Sequence, residues 1–299
     1  MDIGIFGSAS TVDGIADQVR SAADDGFASF WSPQIFGPDA ITALTVAADR
    51  VGGIRLGTAV VPTWPRHPMM LAQQAMTAAQ VSNGRFALGI GLSHQIVVEG
   101  MWGMPFDKPL SHMREYLTIL MPLLRGEAAA FAGETLTAQG GIEVPADPPP
   151  VLVAALGPKM LELTGQVADG TITWMTGPTT IAEHTAPTIR AAAEAAGRPA
   201  PEVVVALPVL VTADVAAGRA RAADEFAMYG LLPSYRAMLD REGLDGPEDL
   251  AVIGGPEEVA ERLGAVHAAG ATTVVASEFG SAEDRATTRQ LLIAMNGLS

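Results

Sequence analysis

The stretch IRLGTAVVPTWPRHPMMLAQQAMTAAQVSNGRFALGIGLSH, residues 54–94, decides the fold of this chain. It begins with an apolar, strand-like run at 54–61 and continues into a helical segment at 68–82 that has a proline in its first turn. Asn83 and Gly84 end the helix, and a second buried-strand pattern follows at 86–91. A strand, a helix and another strand in this order predict a βαβ unit with parallel strands.

The same alternation extends over the rest of the chain. The predicted strands lie at 2–6, 28–32, 54–61, 86–91, 151–154, 170–174, 203–211 and 272–277, each followed by a helical segment. A Gly-, Ala- and Pro-rich insertion at 126–150, with a hairpin around 131–136, follows the fourth helix, and extra helices at 214–229 and 233–242 separate strands seven and eight. This pattern predicts one (β/α)8 TIM barrel domain over residues 1–299. A doubly wound open sheet is the alternative, but Gly4, Gly7 and Ser8 do not complete its dinucleotide fingerprint.

Composition excludes several classes of function. The net charge is −15 with only 18 lysines and arginines, which argues against binding to nucleic acid. The absence of cysteine excludes disulfides and thiolate metal sites. The N-terminus MDIGIF does not have the form of a signal peptide, and no stretch reaches the roughly 18 apolar residues of a membrane helix. We therefore expect a cytoplasmic protein that acts on a small molecule, with no membrane or nucleic-acid partner.

The tryptophans indicate where a ligand binds. Trp31, Trp64, Trp102 and Trp174 each fall at or just beyond the C-terminal end of a predicted strand. Ligands of parallel α/β sheets bind beyond the carboxyl ends of the strands. The set predicts one aromatic-lined pocket, although each tryptophan taken singly is equally consistent with a cap on the barrel core.

The polar residues at the strand ends do not form a metal or nucleophile site. Ser93 and His94 follow strand four, His67 follows strand three, and Glu278 is the only acid at these positions. Metal sites need several converging carboxylates or imidazoles, and no nucleophile elbow is present. The pocket is therefore predicted to hold a planar molecule that brings its own reactivity. His94 is interpreted either as a catalytic or cofactor-contacting residue or as a structural hydrogen-bonding residue.

A candidate anion site follows strand five. Ala155 ends the strand, Gly157 allows close approach to the backbone, and Pro158 starts a helix whose free N–H groups can bind a phosphate together with Lys159. The alternative is an ordinary proline-started helix with a solvated lysine.

Two segments carry a resemblance to a known family. Residues 56–94 and the later ALGPKMLELTGQVADG, residues 155–170, resemble the bacterial luciferase-like monooxygenase superfamily, and within it the branch that uses the deazaflavin coenzyme F420. The resemblance implies a (β/α)8 barrel, F420 as cofactor with FMN as the alternative, and a homodimer. Methionines 69, 70 and 76 of the third helix are available for an apolar dimer interface.

The resemblance also implies roles for individual residues. It implies a cis peptide between Ala59 and Val60 beneath the cofactor ring, contact of Gly157 and Pro158 with the cofactor phosphate, and a catalytic or cofactor-contacting role for His94. The other cofactor contacts that we expect are Trp31, Gln34, Thr58, Ser93, Ala155, Lys159, Trp174 and Thr176.

One departure from the branch bears on the reaction. Sugar-phosphate dehydrogenases of this branch carry an Asp-His pair after strand two, where this chain has Ser32-Pro33-Gln34. The expected reaction is therefore reduction of an activated C=C, C=N or similar acceptor by reduced F420, with the proton coming from solvent or His94. An FMN-dependent monooxygenase and a non-catalytic F420-binding protein are the alternatives.

Overall fold

The computed structural model describes residues 1–296. Its strands are β1 (Asp2–Phe6), β2 (Ser29–Ser32), β3 (Arg55–Thr58), β4 (Val61–Pro62), β5 (Phe86–Gly91), β6 (Ala129–Ala132), β7 (Thr137–Gly140), β8 (Val151–Val153), β9 (Gly170–Trp174), β10 (Glu202–Val211), β11 (Val252–Gly254) and β12 (Thr273–Glu278). Its helices are α1 (Val12–Asp24), α2 (Ala40–Arg50), α3 (Pro68–Val81), α4 (Gln95–Gly100), α5 (Pro109–Leu124), α6 (Pro158–Val167), α7 (Pro178–Thr180), α8 (Ala186–Ala195), α9 (Val215–Glu225), α10 (Ala227–Leu231), α11 (Pro233–Glu242), α12 (Pro247–Leu250), α13 (Pro256–Ala268) and α14 (Ala282–Asn296). A π-helical segment, Ile181–Thr185, joins α7 to α8.

The sheet closes on itself. Strands β1, β2, β3, β5, β8, β9, β10 and β12 pair in that order with parallel neighbours, and β12 pairs with β1 to complete the ring. At the closing seam Ile3 lies opposite Val274. The predicted (β/α)8 barrel is therefore confirmed, and the open-sheet alternative is excluded because its outer strands would remain unpaired.

The barrel interior is filled by side chains. Trp31 is fully buried there, together with Ala87, Leu152, Ile172, Val204, Ala206 and Val275. Its indole Nε1 donates a hydrogen bond to the Ser29 hydroxyl over 2.8 Å. A Cβ on Gly57 would lie 2.2 Å from the Trp31 ring, so only glycine at position 57 leaves room for the tryptophan. The larger core lies outside the barrel, where parallel strands buried on both faces pack against the helices.

The predicted third strand is interrupted. A cis peptide bond joins Ala59 and Val60 between β3 and β4, as expected from the family resemblance. The Thr58 hydroxyl accepts a hydrogen bond from the Gly89 N–H at 2.9 Å and donates one to the Gly89 carbonyl at 2.8 Å. A side chain thus replaces the main-chain pairing that the strand loses at this point.

The insertion after the fourth predicted helix forms the antiparallel hairpin β6–β7. Glu115 on α5 binds the turn of this hairpin, because its carboxylate accepts hydrogen bonds from the N–H groups of Glu134, Thr135 and Leu136 at 2.7–2.9 Å. Burial alone would raise the pKa of Glu115, but these bonds and one from the Thr135 hydroxyl lower it to about 2. The insertion is therefore fastened to the barrel by an ionised carboxylate.

Helices α4 and α12 and strand β11 were not predicted from the sequence. Helix α4 lies in the loop after β5, and the short strand β11 pairs with the outer end of β10 after the helices α9 to α12. On the same side of the barrel, residues 91–106, which include α4, and residues 228–235 form walls of a cavity, whereas β11 does not line it.

Candidate active site

A cavity of about 890 Å³ opens at the carboxyl ends of the barrel strands. This volume lies in the range of small-molecule and cofactor sites. Its floor is formed by residues from the barrel, one wall by α4 and the loop that follows it, and the opposite wall by α10 and the start of α11. The cavity reaches sideways to Leu156 and Gly157 at the beginning of α6.

The floor of the cavity is apolar. It includes Phe6, Ala59, Val60 and Trp174, and the Phe6 and Trp174 rings stack with centroids 5.2 Å apart and planes inclined by 25°. A Cβ on Gly91 would lie 2.6 Å from Val60 Cγ2, so glycine is needed for this close approach. The result is an apolar surface beside the cis peptide that suits a planar ring.

Ser93 and His94 lie at the edge of the cavity. Ser93 has a left-handed backbone with φ of +61°, and His94 occupies the cap position of α4 without a side-chain hydrogen bond to that helix. Burial lowers the pKa of His94 from its ordinary value, so the imidazole is neutral at neutral pH. Its ring centroid lies 5.9 Å from that of Tyr235 on the opposite wall. A neutral imidazole there offers one hydrogen-bond donor and one acceptor.

The two helices that follow β8 and β9 differ at their first turns. The cap residue of α6, Gly157, has no side chain, and Lys159 in the first turn is exposed, without an ion pair within residues 1–296. The first turn of α7 is already bound, because the Glu242 carboxylate accepts hydrogen bonds from the N–H groups of Thr179 and Thr180 at 3.3 and 2.5 Å. Of these two helix starts, only that of α6 is available to an anion.

The structure brings part of the predicted set together. Ala59, Val60, Ser93, His94, Gly157 and Trp174 line the cavity, whereas Trp31, Gln34, Thr58, Ala155, Pro158, Lys159 and Thr176 do not. Pro158 and Lys159 are exposed beside Gly157, while Ala155 and Thr176 are buried.

Three of the residues outside the cavity have roles in the fold instead. Trp31 is buried in the barrel interior and Thr58 is bound to Gly89, so neither faces the cavity. Gln34 is bound to the start of α2, because its side-chain carbonyl accepts a hydrogen bond from Ala40 N at 2.8 Å.

The tryptophans do not share one pocket, contrary to the expectation from their positions. Trp174 lines the cavity, but Trp64 stacks on His112, with ring centroids 3.8 Å apart and planes 8° from parallel. Burial lowers the pKa of that histidine to about 4, so it packs as a neutral ring. Trp102 lies in the loop between α4 and α5 and does not line the cavity. A position near a strand end does not determine which way a side chain points.

Sequence reasoning missed the wall formed by α10 and α11. Met228, Leu231, Leu232 and Tyr235 line the cavity from a segment that the sequence predicts only as extra helices. The apolar pair Leu231-Leu232 in front of Pro233 was the available signal, because apolar residues between two helices suggest a surface that another group covers.

Two further findings concern the rest of the chain. Among the described residues, no cluster of three or more histidine, aspartate or glutamate side chains is arranged to hold a metal ion. No helix within residues 1–296 has the length and apolarity needed to cross a bilayer.

Two known proteins are similar to this chain in sequence. A 5,10-methylenetetrahydromethanopterin reductase of Methanolobus tindarius is 31% identical over 244 residues, which cover 81% of this chain and 74% of the relative. A putative coenzyme F420-dependent oxidoreductase of Mycobacterium tuberculosis is 33% identical over 170 residues, covering 52% of this chain and 49% of that protein.

Solved structures are similar over nearly the whole length. The coenzyme F420-dependent tetrahydromethanopterin reductase of Methanopyrus kandleri superposes with a TM-score of 0.82 at 22% identity, covering 98% of this chain and 97% of that one. The FMN complex of the oxygenating constituent of 3,6-diketocamphane monooxygenase from Pseudomonas putida superposes with a TM-score of 0.77 at 18% identity, covering 99% and 96%. The sequence profile of the luciferase-like monooxygenases matches residues 4–273, and the chain therefore belongs to that family.

Proposed function

We propose that this protein is an F420-dependent oxidoreductase that works as a reductase on a small organic substrate. The main support is the 31% sequence identity to a 5,10-methylenetetrahydromethanopterin reductase, which extends over 81% of this chain. The putative F420-dependent oxidoreductase of Mycobacterium tuberculosis supports the same cofactor. FMN is the alternative cofactor, because a structurally similar monooxygenase is known in complex with it.

The residues of the cavity fit a cofactor with a flat ring and a phosphate. Ala59, Val60 and Trp174 provide the apolar floor for the ring, and the uncapped start of α6 at Gly157 provides free N–H groups for the phosphate. Lys159 supplies a positive charge in the same turn, which offsets the negative charge of the protein as a whole. When bound, F420 would supply the hydride chemistry that protein side chains lack.

The protein's own contribution to the reaction lies in positioning, exclusion of water and proton supply. The apolar floor and walls limit the access of water to the reacting atoms. His94, neutral and at the cavity edge, is placed to pass a proton between solvent and the substrate through its two ring nitrogens. Sugar-phosphate dehydrogenases of the branch carry an Asp-His pair where this chain has Ser32-Pro33-Gln34. Its absence here agrees with a reductase, because reduction needs a proton donor and not a base that removes a hydroxyl proton.

Separate titrations with the two cofactors test the proposal. The purified protein is titrated with F420 and with FMN, and binding is followed by the fluorescence of each cofactor. We expect saturable F420 binding and no FMN binding. The loaded protein is then supplied with reduced F420 and a panel of enones and imines, and oxidation of the cofactor is recorded.

Each result has a defined meaning. Binding of FMN without binding of F420 would replace the proposal with an FMN-dependent monooxygenase. Tight F420 binding without turnover on any acceptor would favour a cofactor-binding protein. His94→Gln keeps a polar side chain of similar reach, so we expect it to bind F420 normally while its turnover falls by roughly 10²-fold.

A further inference from the structure

We propose that the mouth of the cavity between α4 and α11 is the substrate subsite. We further propose that it takes an uncharged, mainly apolar ketone or enone whose oxygen accepts a hydrogen bond from the hydroxyl of Tyr235. The inference deepens the proposed function and rests on it.

Apolar side chains face solvent on both sides of this mouth. Ile96 on α4 is 70% exposed, and Met228 and Leu231 on α10 are 61% and 83% exposed. All three line the cavity. Large apolar residues that are exposed together around an opening mark a surface that an apolar group covers. A substrate with an apolar body would bind more tightly by removing these side chains from water.

The charges at the cavity argue against an anionic substrate. Among the described residues that line it there is no lysine or arginine, and the ionisable ones are His94, Glu99 and Tyr235. The Glu99 carboxylate already accepts hydrogen bonds from the Gln95 side chain at 3.0 Å and from Phe106 N at 3.4 Å. His94 is neutral, so an anion in the mouth would meet one fixed negative charge and no positive one.

Tyr235 is the group placed to bind a neutral oxygen. Its ring is held edge-on against Tyr229 with centroids 5.0 Å apart, and Tyr229 packs edge-on against Trp174 at 5.9 Å. Its hydroxyl has no hydrogen-bond partner in residues 1–296, and neither has the imidazole of His94, whose ring centroid lies 5.9 Å away. Burial raises the pKa of Tyr235, and Tyr229 adds to this effect, so the hydroxyl remains protonated and can donate.

The helix that carries Tyr235 is fixed at its far end. Glu242, the last residue of α11, binds the first turn of α7. Arg236 donates hydrogen bonds to the carbonyls of Leu244 and Asp245 at 2.5 and 2.7 Å. The hydroxyl is thereby carried on a helix that hydrogen bonds within the protein hold in place, which is what orientation of a substrate requires.

Three matched ligands test the inference without turnover. 4-Phenylbutan-2-one is a neutral ketone, 3-phenylpropanoate has a carboxylate oxygen in place of its methyl group, and butylbenzene has no oxygen. Their binding is measured by calorimetry, with and without saturating oxidised F420. We expect the ketone to bind at least about 10-fold more tightly than the carboxylate.

Two variants separate the contributions. Tyr235→Phe should weaken ketone binding by roughly 5- to 10-fold, the effect of one neutral hydrogen bond, and leave butylbenzene binding unchanged. Leu231→Lys changes a side chain at the mouth that is 83% exposed, so the fold is preserved, and it should improve carboxylate binding relative to the ketone.

The inference would be overturned if the parent protein bound 3-phenylpropanoate as tightly as 4-phenylbutan-2-one. It would also be overturned if Tyr235→Phe bound the ketone as tightly as the parent protein does. If Tyr235→Phe does not fold, the inference stands or falls on the ligand preference of the parent protein and of Leu231→Lys. If the parent protein does not bind F420, the result counts against the proposed cofactor. The ligand titrations without F420 would still test whether the mouth of the cavity prefers the ketone.

Discussion

Reversal of the charge at Lys159 tests the phosphate site most directly. Lys159 lies in the first turn of α6, is exposed, and has no ion pair in the described part of the chain. Lys159→Glu removes one positive charge and adds one negative charge beside the expected phosphate. At about 4 Å in a water-like environment each unit of charge changes the binding energy by about 1 kcal/mol, so reversal costs about 2 kcal/mol. The Kd for F420 should therefore rise roughly 30-fold.

The fold should tolerate this substitution. A carboxylate in the first turn of a helix interacts favourably with the helix dipole, by roughly 0.3–1 kcal/mol. We therefore expect the melting temperature to stay level or rise slightly while cofactor affinity falls. A loss of both together would indicate general destabilisation.

The assay is a fluorescence titration with F420 at about 0.05 M and about 0.5 M salt, where screening differs strongly. Arg20→Glu is the matched control, because it changes the net charge equally on an exposed side chain of α1 that does not line the cavity. We expect the control to bind nearly as the parent does, and the deficit of Lys159→Glu to shrink in high salt. Equal affinities of the parent protein and Lys159→Glu in low salt would refute the assignment of the phosphate to the start of α6.

Three further predictions concern stability and assembly. Gly89→Ala would place a Cβ 1.9 Å from the Thr58 carbonyl oxygen, so we expect the free energy of unfolding measured in urea to fall by about 3 kcal/mol or more. The control is Gly264→Ala, at a helical position with open space around it, which should leave the stability unchanged or raise it. Glu115→Gln should cost about 1 kcal/mol at neutral pH after allowance for solvent screening. The pKa of Glu115 is lowered in the folded state from 4.5 to about 2, so its contribution is complete above pH 4.5 and lost as the pH falls towards 2, where parent and variant should unfold alike. We also predict a homodimer in which α3 takes part through Met70, which is 53% exposed, and not through Met76, which is buried in the core; sedimentation velocity at micromolar concentration should show it, and a monomer at all concentrations would contradict it.

The barrel was predictable because its signals are local. Most helices and strands of the barrel have boundaries marked in nearby residues, such as Pro68 at the start of α3 and Gly84 after its end. The break at Ala59–Val60 carries no such mark, since the residues 54–61 look like one continuous strand. It was expected only because of the family resemblance, and the structure has the cis bond.

The site was harder to predict because it depends on contacts between distant residues. Whether Trp31 faces the cavity or the barrel interior depends on the room left by Gly57, a residue on the neighbouring strand. Tyr235 meets His94 only after the chain between β5 and α11 has been folded around the barrel. Glu242 occupies the start of α7 through hydrogen bonds that span more than 60 residues. No spacing within a short window contains this information.

The closing seam between β1 and β12 has a consequence for how the chain folds. Residues 2–5 pair with residues 273–276, so the first strand of the barrel is completed on this side only when the last strand of the barrel is present. Until then β1 can pair only with β2, and its other edge is a row of free N–H and C=O groups, the kind of edge that invites aggregation. Contacts between such distant segments close slowly. A circular permutant that joins the end of α14 to β1 and opens the chain in the exposed β6–β7 insertion would make this seam a local contact and transfer the long-range closure to the pair β5–β8, so the same barrel should form with a different pair of strands closing last.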